Sequence, residues 1–578
     1  MSSTTIALTI FLLYWIIVWI LERRGILEKY NISTYGPVLM IRTLRGQELL
    51  DKLARPKSLW RTFANIGIPL MFVGMAAMFL IVILSDIALL SSLQENTMPE
   101  PGKFNEPRNI LLIPGVNEFI PFTWGIIALV VTLIVHEFAH AILCRVEGIR
   151  VKSMGLLFAL VPIGGFAEPD EEELFGVTGE EKLKEEGAGT EEIRESIPVV
   201  KKTKKAATRN ERSRILAAGV MSNFVVAFVA LFLFFGPVLG AIAPLSDVMV
   251  VNVTNGSSAF EAGITKEMVI TQIDDTPIRN TQDIIMYMST IEHGSVVKVY
   301  AAKDGVVSVY DINTLETAEE EIIGVHVNGV VEGSPAEAVG FESGMVMVKI
   351  DNVTLKTVED FIIFMNSTHS DQMIHIEVLG TNHTSGETNV TMGFDVKLAQ
   401  YPDEGEEKGF LGVYYNTNGI KSTPLGLTVG EYPSKMYLQI LKDIPYMLTG
   451  PSGWIILFGL PILGIGGEGF PGFSGTFAQF YHAVGWGEPL GIGIFWIANT
   501  LLWIGWLNFY VGLFNCLPAV PLDGGHVFRD YTYSLILRIT GDENKAKRIS
   551  GAIAGTFLFL VLMSFVLMIF GPYIVHGF

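Results

Sequence analysis

Six stretches of this chain, near residues 4–21, 64–90, 121–145, 214–241, 492–517 and 549–575, are apolar over a length that can cross a bilayer, which takes roughly 20 residues. Lipid offers no water to backbone N–H and C=O groups, so each stretch must satisfy them internally as a helix. The fold class expected is therefore a polytopic α-helical membrane protein of about six spans. Half of the 578 residues are hydrophobic and 17% are charged, which leaves room for soluble parts between the spans. The first stretch lacks a basic lead-in and a cleavage site, and reads as a retained anchor.

Lys and Arg concentrate in 23–61, 194–214 and 529–548. Placing these inside puts the N-terminus and residues 242–445 outside. That outer region carries six Asn-x-Ser/Thr sequons, at Asn252, Asn255, Asn352, Asn366, Asn382 and Asn389, as an external surface would. The apolar piece 453–467 is short and broken by Gly and Pro, so an interfacial or re-entrant segment is expected there rather than a crossing.

The net charge of −19 is no nucleic-acid footprint, and no phosphate loop or nucleic-acid motif occurs. A charged loop from Glu168 to about Glu195 and the basic run "KKTKKAATRNERSR" at 201–214 read together as a solvated linker. Cys144 and Cys516 lie in apolar segments; they are expected as small buried hydrophobes and not as a disulfide framework.

The outer region repeats itself. "GSSAFEAGITKEMVITQIDDTPIRNTQDIIMYM" from Gly256 aligns without a gap on "GSPAEAVGFESGMVMVKIDNVTLKTVEDFIIFM" from Gly333. Each copy predicts a short strand, a glycine turn, an alternating strand and an amphipathic helix. The pattern resembles the PDZ domains of envelope proteases, with Lys266-Glu267 and Ser343-Gly344 where Gly-Asp is usual. Two external α+β PDZ-like domains are expected, either holding peptide ends by strand addition or acting as a steric screen.

The most informative stretch is "VTLIVHEFAHAIL", residues 131–143. His136 and His140 are four residues apart and share one helix face. This is H-E-x-x-H, two zinc ligands with Glu137 as general base. Read instead as core histidines, the three residues would each face the cost of burying an ionisable group in a span, roughly 2.5–3.5 kcal/mol for a charged side chain. Bound Zn2+ offsets it. A catalytic zinc needs a third protein ligand and an open position. Asp523 is the candidate, in "NFYVGLFNCLPAVPLDGGH" (508–526), where Pro518 and Pro521 end the preceding helix. Alone it would read as a turn or capping aspartate before Gly524-Gly525. His526 is the less attractive substitute.

HEFAH inside a span, a later "AAGVMSNF" (217–224), a PDZ-like region and "NCLPAVPLDGG" resemble the site-2 protease family of intramembrane zinc metalloproteases, over roughly 121–575. The resemblance implies His136, His140 and Asp523 as ligands of one Zn2+ and Glu137 as the catalytic carboxylate. It implies Asn515 and Asn223 as substrate- or oxyanion-binding residues, with Gly219 and Asn223 forming the family's Gly-x-x-x-Asn signature. The usual proline after that glycine is Val220 here. "MGLLFALVPIGGFAE" (154–168) alternates and carries Gly164-Gly165; it is expected as a membrane-dipping hairpin that receives substrate as an added strand, or else as an interfacial loop.

The resulting domain expectation is an N-terminal pair of extra spans with loops (1–120), a first core half (121–241), PDZ-like domains at 242–318 and 319–400, a linker (401–490) and a second core half (491–578). The implied activity is cleavage in or near the transmembrane segment of membrane proteins, single-span and already shortened by another protease, at a cell membrane with the active site toward the cytoplasm. Partners are then those substrates and the bilayer, with no nucleic acid. A zinc transporter or sensor, or a non-catalytic PDZ scaffold, stays open.

Overall fold

The computed structural model describes the chain apart from residues 1–2, 44–46, 96, 110–111, 171–172, 175–205, 255, 293, 315–323, 332, 343–344, 356–357, 381–389, 401–407, 416–420, 423–424, 464–469, 471 and 578. The charged loop beyond 175, the first residues of the basic run, Ser343-Gly344 and the sequons at Asn255, Asn382 and Asn389 lie outside the described residues. Asn252, Asn352 and Asn366 are exposed. The chain forms two compact units: residues 1–239, 444–473 and 495–578, and residues 240–443 with 474–494.

The first unit is built on long helices. They are α1 (Ser3–Arg23), α2 (Lys57–Glu95), α3 (Phe122–Glu147), α4 (Arg209–Leu233), α5 (Pro451–Leu463), α6 (Gly493–Asn515), α7 (Asp523–Thr540) and α8 (Glu543–His576). Among the described residues, α2, α3, α4 with its extension to Val238, α6 and α8 are long and apolar enough to cross a membrane. They fall on the last five of the six expected spans, and the first falls on α1. Such helices have no polar face because their surroundings outside the protein are lipid; Phe559, Leu560, Leu562 and Met563 of α8 are accordingly exposed. At 13 residues, α5 is shorter than a crossing requires.

Helix ends follow local chemistry. Thr208 and Glu211 form a reciprocal capping box that starts α4, satisfying N–H groups the first turn leaves unbonded. Gly148 closes α3 at φ 83°, a left-handed conformation that favours glycine. The expected solvated linker is thereby corrected at its end: Arg209, Arg212 and Arg214 belong to the first two turns of α4.

Residues 154–168 do form a hairpin. β3 (Val151–Ala159) and β4 (Val161–Pro169) pair antiparallel around Leu160. The hairpin is not alone, because β1 (Ile32–Tyr35) and β2 (Val38–Thr43) extend it to a sheet of order β1-β2-β3-β4. The N-terminal segment therefore adds strands as well as apolar helices, which the apolar pattern of 1–120 did not disclose. With β3 paired on both sides, β4 is the free edge, and it lies against α3.

The second unit contains the repeat. Its first copy supplies β5 (Val248–Val253), β6 (Val269–Ile273), β7 (Val296–Lys303), β8 (Val306–Asn313) and the helix Thr281–Met288. The second supplies β9 (Val325–Val330), β10 (Val346–Ile350), β11 (Met373–Gly380), β12 (Val390–Lys397) and the helix Val358–Asn366. A further strand, β13 (Val413–Tyr415), completes the order β12-β11-β10-β9-β13.

The first sheet is completed only afterwards. β14 (Leu427–Glu431) pairs with β5 to give β8-β7-β6-β5-β14, with the short strand Lys421–Ser422 beyond it. The second copy is thus nested inside the first. This corrects the expected boundaries 242–318, 319–400 and 401–490. The supposed linker holds the last strand of each sheet, while 444–473 belongs with the first unit. The repeat persists to single bonds: Asp274 N–H donates to Lys298 O at 2.8 Å, and Asp351 N–H to His375 O at 2.7 Å. Each sheet encloses its own apolar core, around Ile270 and Val299 in one and Met347 and Ile376 in the other.

Candidate metal centre

The fourfold spacing on α3 brings the His136 and His140 rings to 4.6 Å between centroids, with their Nε2 atoms 3.1 Å apart. The third group arrives from 383 residues downstream. Asp523 Oδ2 lies 3.2 Å from His136 Nε2 and 3.3 Å from His140 Nε2. All three side chains are largely buried. Among the described residues, this is the group of His, Cys, Asp or Glu whose donor atoms converge as metal ligands do.

Asp523 reaches the pair because of what flanks it. α6 ends at Asn515, the chain turns through Pro518 and Pro521, and α7 begins at Asp523 itself. Gly524 and Gly525 make the return close enough. A Cβ on Gly524 would stand 2.3 Å from Cys516 O, and one on Gly525 2.4 Å from the Ala519 carbonyl carbon. Both contacts are with backbone, which cannot move aside cheaply.

The ring nitrogens facing away from Asp523 fix the imidazoles. His140 Nδ1 donates to Ile215 O at 2.8 Å. His136 Nδ1 is 3.2 Å from the side-chain amide of Asn223, whose Oδ1 is otherwise a buried oxygen without a partner. Placing the amide oxygen toward the ring, an assignment set by the bonding network, lets His136 Nδ1–H donate and satisfies both atoms. Both histidines then present Nε2 lone pairs to one point, together with Asp523 Oδ2, which receives no hydrogen bond.

Three converging lone pairs repel one another unless a cation lies between them. Zn2+ bound at about 2.0–2.1 Å in tetrahedral geometry separates its donors by about 3.3 Å, and the distances found here match that. The residues therefore fit the metal. His136, His140 and Asp523 would hold it, with a fourth position left open.

Gly219 of α4 is the wall of this site. A Cβ there would lie 2.5 Å from His140 Nε2 and 2.7 Å from His136 Cε1. Asn223 is one turn further on the same face. The resemblance implied a substrate- or oxyanion-binding role for it; here it is fully buried with its amide hydrogen-bonded to His136. Gly165 of β4 meets Glu137, its hypothetical Cβ being 2.7 Å from Glu137 Cγ. Gly164 faces the other way, toward Leu157, because successive strand residues alternate. Asn515 closes α6 with its carbonyl against Gly524, and among the described hydrogen bonds none joins its side chain to the histidines or Asp523. The contribution of Ile215, a backbone carbonyl, has no signature in sequence.

The chain matches the model of peptidase family M50 over residues 124–401 and 484–570, together more than half its length. It is 26% identical over 315 residues to an uncharacterized protein of Methanocaldococcus jannaschii, covering 54% of this chain and 71% of that one. The Regulator of sigma E protease of Haemophilus influenzae is 24% identical over 433 residues, 70% of this chain and 90% of its own. Protease RseP of Yersinia pestis is 22% identical over 446 residues, covering 70% and 88%. A solved PDZ domain of an SdrC-like protein from Listeria monocytogenes is similar at 22% identity over 16% of this chain and 87% of that one, with a TM-score of 0.14. With the HExxH helix and the distant aspartate of one site both inside the matched segments, the chain belongs to peptidase family M50, the site-2 protease family.

Proposed function

We propose that this chain is an intramembrane zinc metalloprotease that hydrolyses a peptide bond in or near the transmembrane segment of membrane-protein substrates. The observation that carries the reading is Asp523 Oδ2 at 3.2–3.3 Å from both His Nε2 atoms. When bound, zinc supplies a Lewis acid that polarises the scissile carbonyl and makes water acidic enough to attack near neutral pH.

The chain's own residues do the rest. Glu137 accepts the proton of the attacking water and passes it to the departing amine. Its carboxylate is half-buried beside β4, so the strand edge and the base share one place. A substrate helix must unwind before its carbonyls can be attacked, and the free edge of β4 takes up the released N–H and C=O groups. Gly165 keeps that strand close to Glu137. Asn515 donates to substrate or to the developing oxyanion.

The Lys/Arg distribution supports a topology with the N-terminus and residues 242–445 outside and the active site toward the cytoplasm. The two nested sheets, read as PDZ-like domains, then favour single-span substrates already shortened by another protease.

The test is cleavage of a single-span substrate by purified protein, wild type against Glu137→Gln. Zinc-dependent cleavage should fall by a factor of about 10²–10⁴, the usual share of a general acid–base group. Equal cleavage by both proteins refutes the role of Glu137.

A further inference from the structure

The arginines that close the basic run are not solvated. Each is engaged, and together they tie down the two helices that carry the metal ligands. Arg214 Nε donates to Glu147 Oε1 at 2.7 Å, holding α4 to the end of α3. Arg212 donates from Nε to Asp530 Oδ2 at 3.0 Å and brings Nη2 to the same oxygen at 3.0 Å, holding α4 to α7. Arg209 lies over the Tyr533 ring at 4.1 Å and donates to Ser534 Oγ at 2.7 Å. Glu147 also receives Arg61 of α2 at 2.9 Å, and its side chain is only 1% exposed. A carboxylate so buried is held in place by its partners.

The spacing of these charges is what gives them a use. Glu147 stands seven residues beyond His140 on α3, Arg212 seven before Gly219 on α4, and Asp530 seven beyond Asp523 on α7. Seven residues are two helical turns, so each charged residue shares a face with the metal-facing residue of its own helix, roughly 10 Å away. α4 runs opposite to α3 and α7 along this layer, since its numbering falls where theirs rises. A layer of ion pairs therefore repeats the arrangement of the metal layer two turns off.

Resting on the metal reading above, we propose that the Arg212–Asp530 pair, with Arg214–Glu147 beside it, sets the register of α7 and α3 against α4, so that Asp523 meets the histidine pair. Arg212, Asp530, Arg214 and Glu147 are positioning residues that touch neither metal nor substrate. A helix sliding by one residue moves 1.5 Å along its axis, enough to take a carboxylate oxygen out of a metal's reach.

Zinc affinity of the purified full chain in detergent tests this, measured by competition with a chromogenic chelator beside circular dichroism and thermal melting. Arg212→Ala and Asp530→Ala should each weaken zinc binding about tenfold or more with helix content kept, as losing supports behind ligands does elsewhere. The exchange Arg212→Asp with Asp530→Arg should regain most of that loss. Lys545→Ala, which breaks the exposed Lys545–Asp542 pair, should leave affinity at wild-type level.

Melting lowered with zinc affinity within twofold of wild type would mark the pair as structural only and overturn the proposal. Where the alanine variants do not fold, Arg212→Lys is read instead. It keeps the charge but loses the two-nitrogen grip; weakened affinity supports the proposal and unchanged affinity overturns it. A wild type that binds no zinc, or binds it no better than Asp523→Asn, would overturn the metal reading and this inference with it.

Discussion

At Gly219 the absence of a side chain is what makes the site. A methyl group there would sit 2.5 Å from His140 Nε2, closer than any real carbon stands, and the ring cannot retreat while its Nδ1 is bonded to Ile215 O. Gly219→Ala should therefore abolish zinc binding and activity with little loss of helix content, since alanine is the better helix former. Retention of wild-type zinc affinity would show that the ring has room the contacts deny it. The same logic separates neighbours on β4. Of the two glycines singled out in sequence, Gly165 is the one set against Glu137, whereas Gly164 lies against Leu157.

At the scale of elements, the free edge of β4 beside α3 joins fold to mechanism. Gly165→Val should push the strand off Glu137 and depress cleavage of a helical single-span substrate much more than cleavage of a short unstructured peptide. Comparing kcat/KM for the two substrates measures this, and an equal loss on both would exclude strand capture as the step affected. The hairpin itself was legible from alternation and the Gly pair. Its partners β1 and β2 were not, because strand pairing between residues 39–43 and 154–158 leaves no local periodicity to read. The arginines of α4 show the same limit. A run of like charge reads as solvated until the acidic residues of other helices are seen against it.

For the molecule as a whole, nesting makes one sheet depend on chain that follows the other. Val429 of β14 is buried and pairs with Val250, more than 100 residues beyond the end of β8. Val429→Pro removes a ladder donor in a strand and should strip hydrogen-exchange protection from residues 248–313 while 325–415 stay protected. Protection lost equally from both sheets, or from neither, would count against the nested arrangement. The repeat at an offset of 77 residues was plain in sequence, yet tandem order was the natural reading of it. Only pairing across the inserted copy reveals otherwise.

The sequence by itself determined the long apolar helices, the HExxH helix, the hairpin and the duplicated unit, because each is a pattern over neighbouring residues that backbone geometry reads locally. The tertiary structure alone decided that Asp523 closes on His136 and His140, that Asn223 bonds to His136, that β14 completes the earlier sheet and that three arginines grip two helices. These are contacts between segments far apart in the chain. Loop closure and packing select them, and no local pattern of residues encodes either.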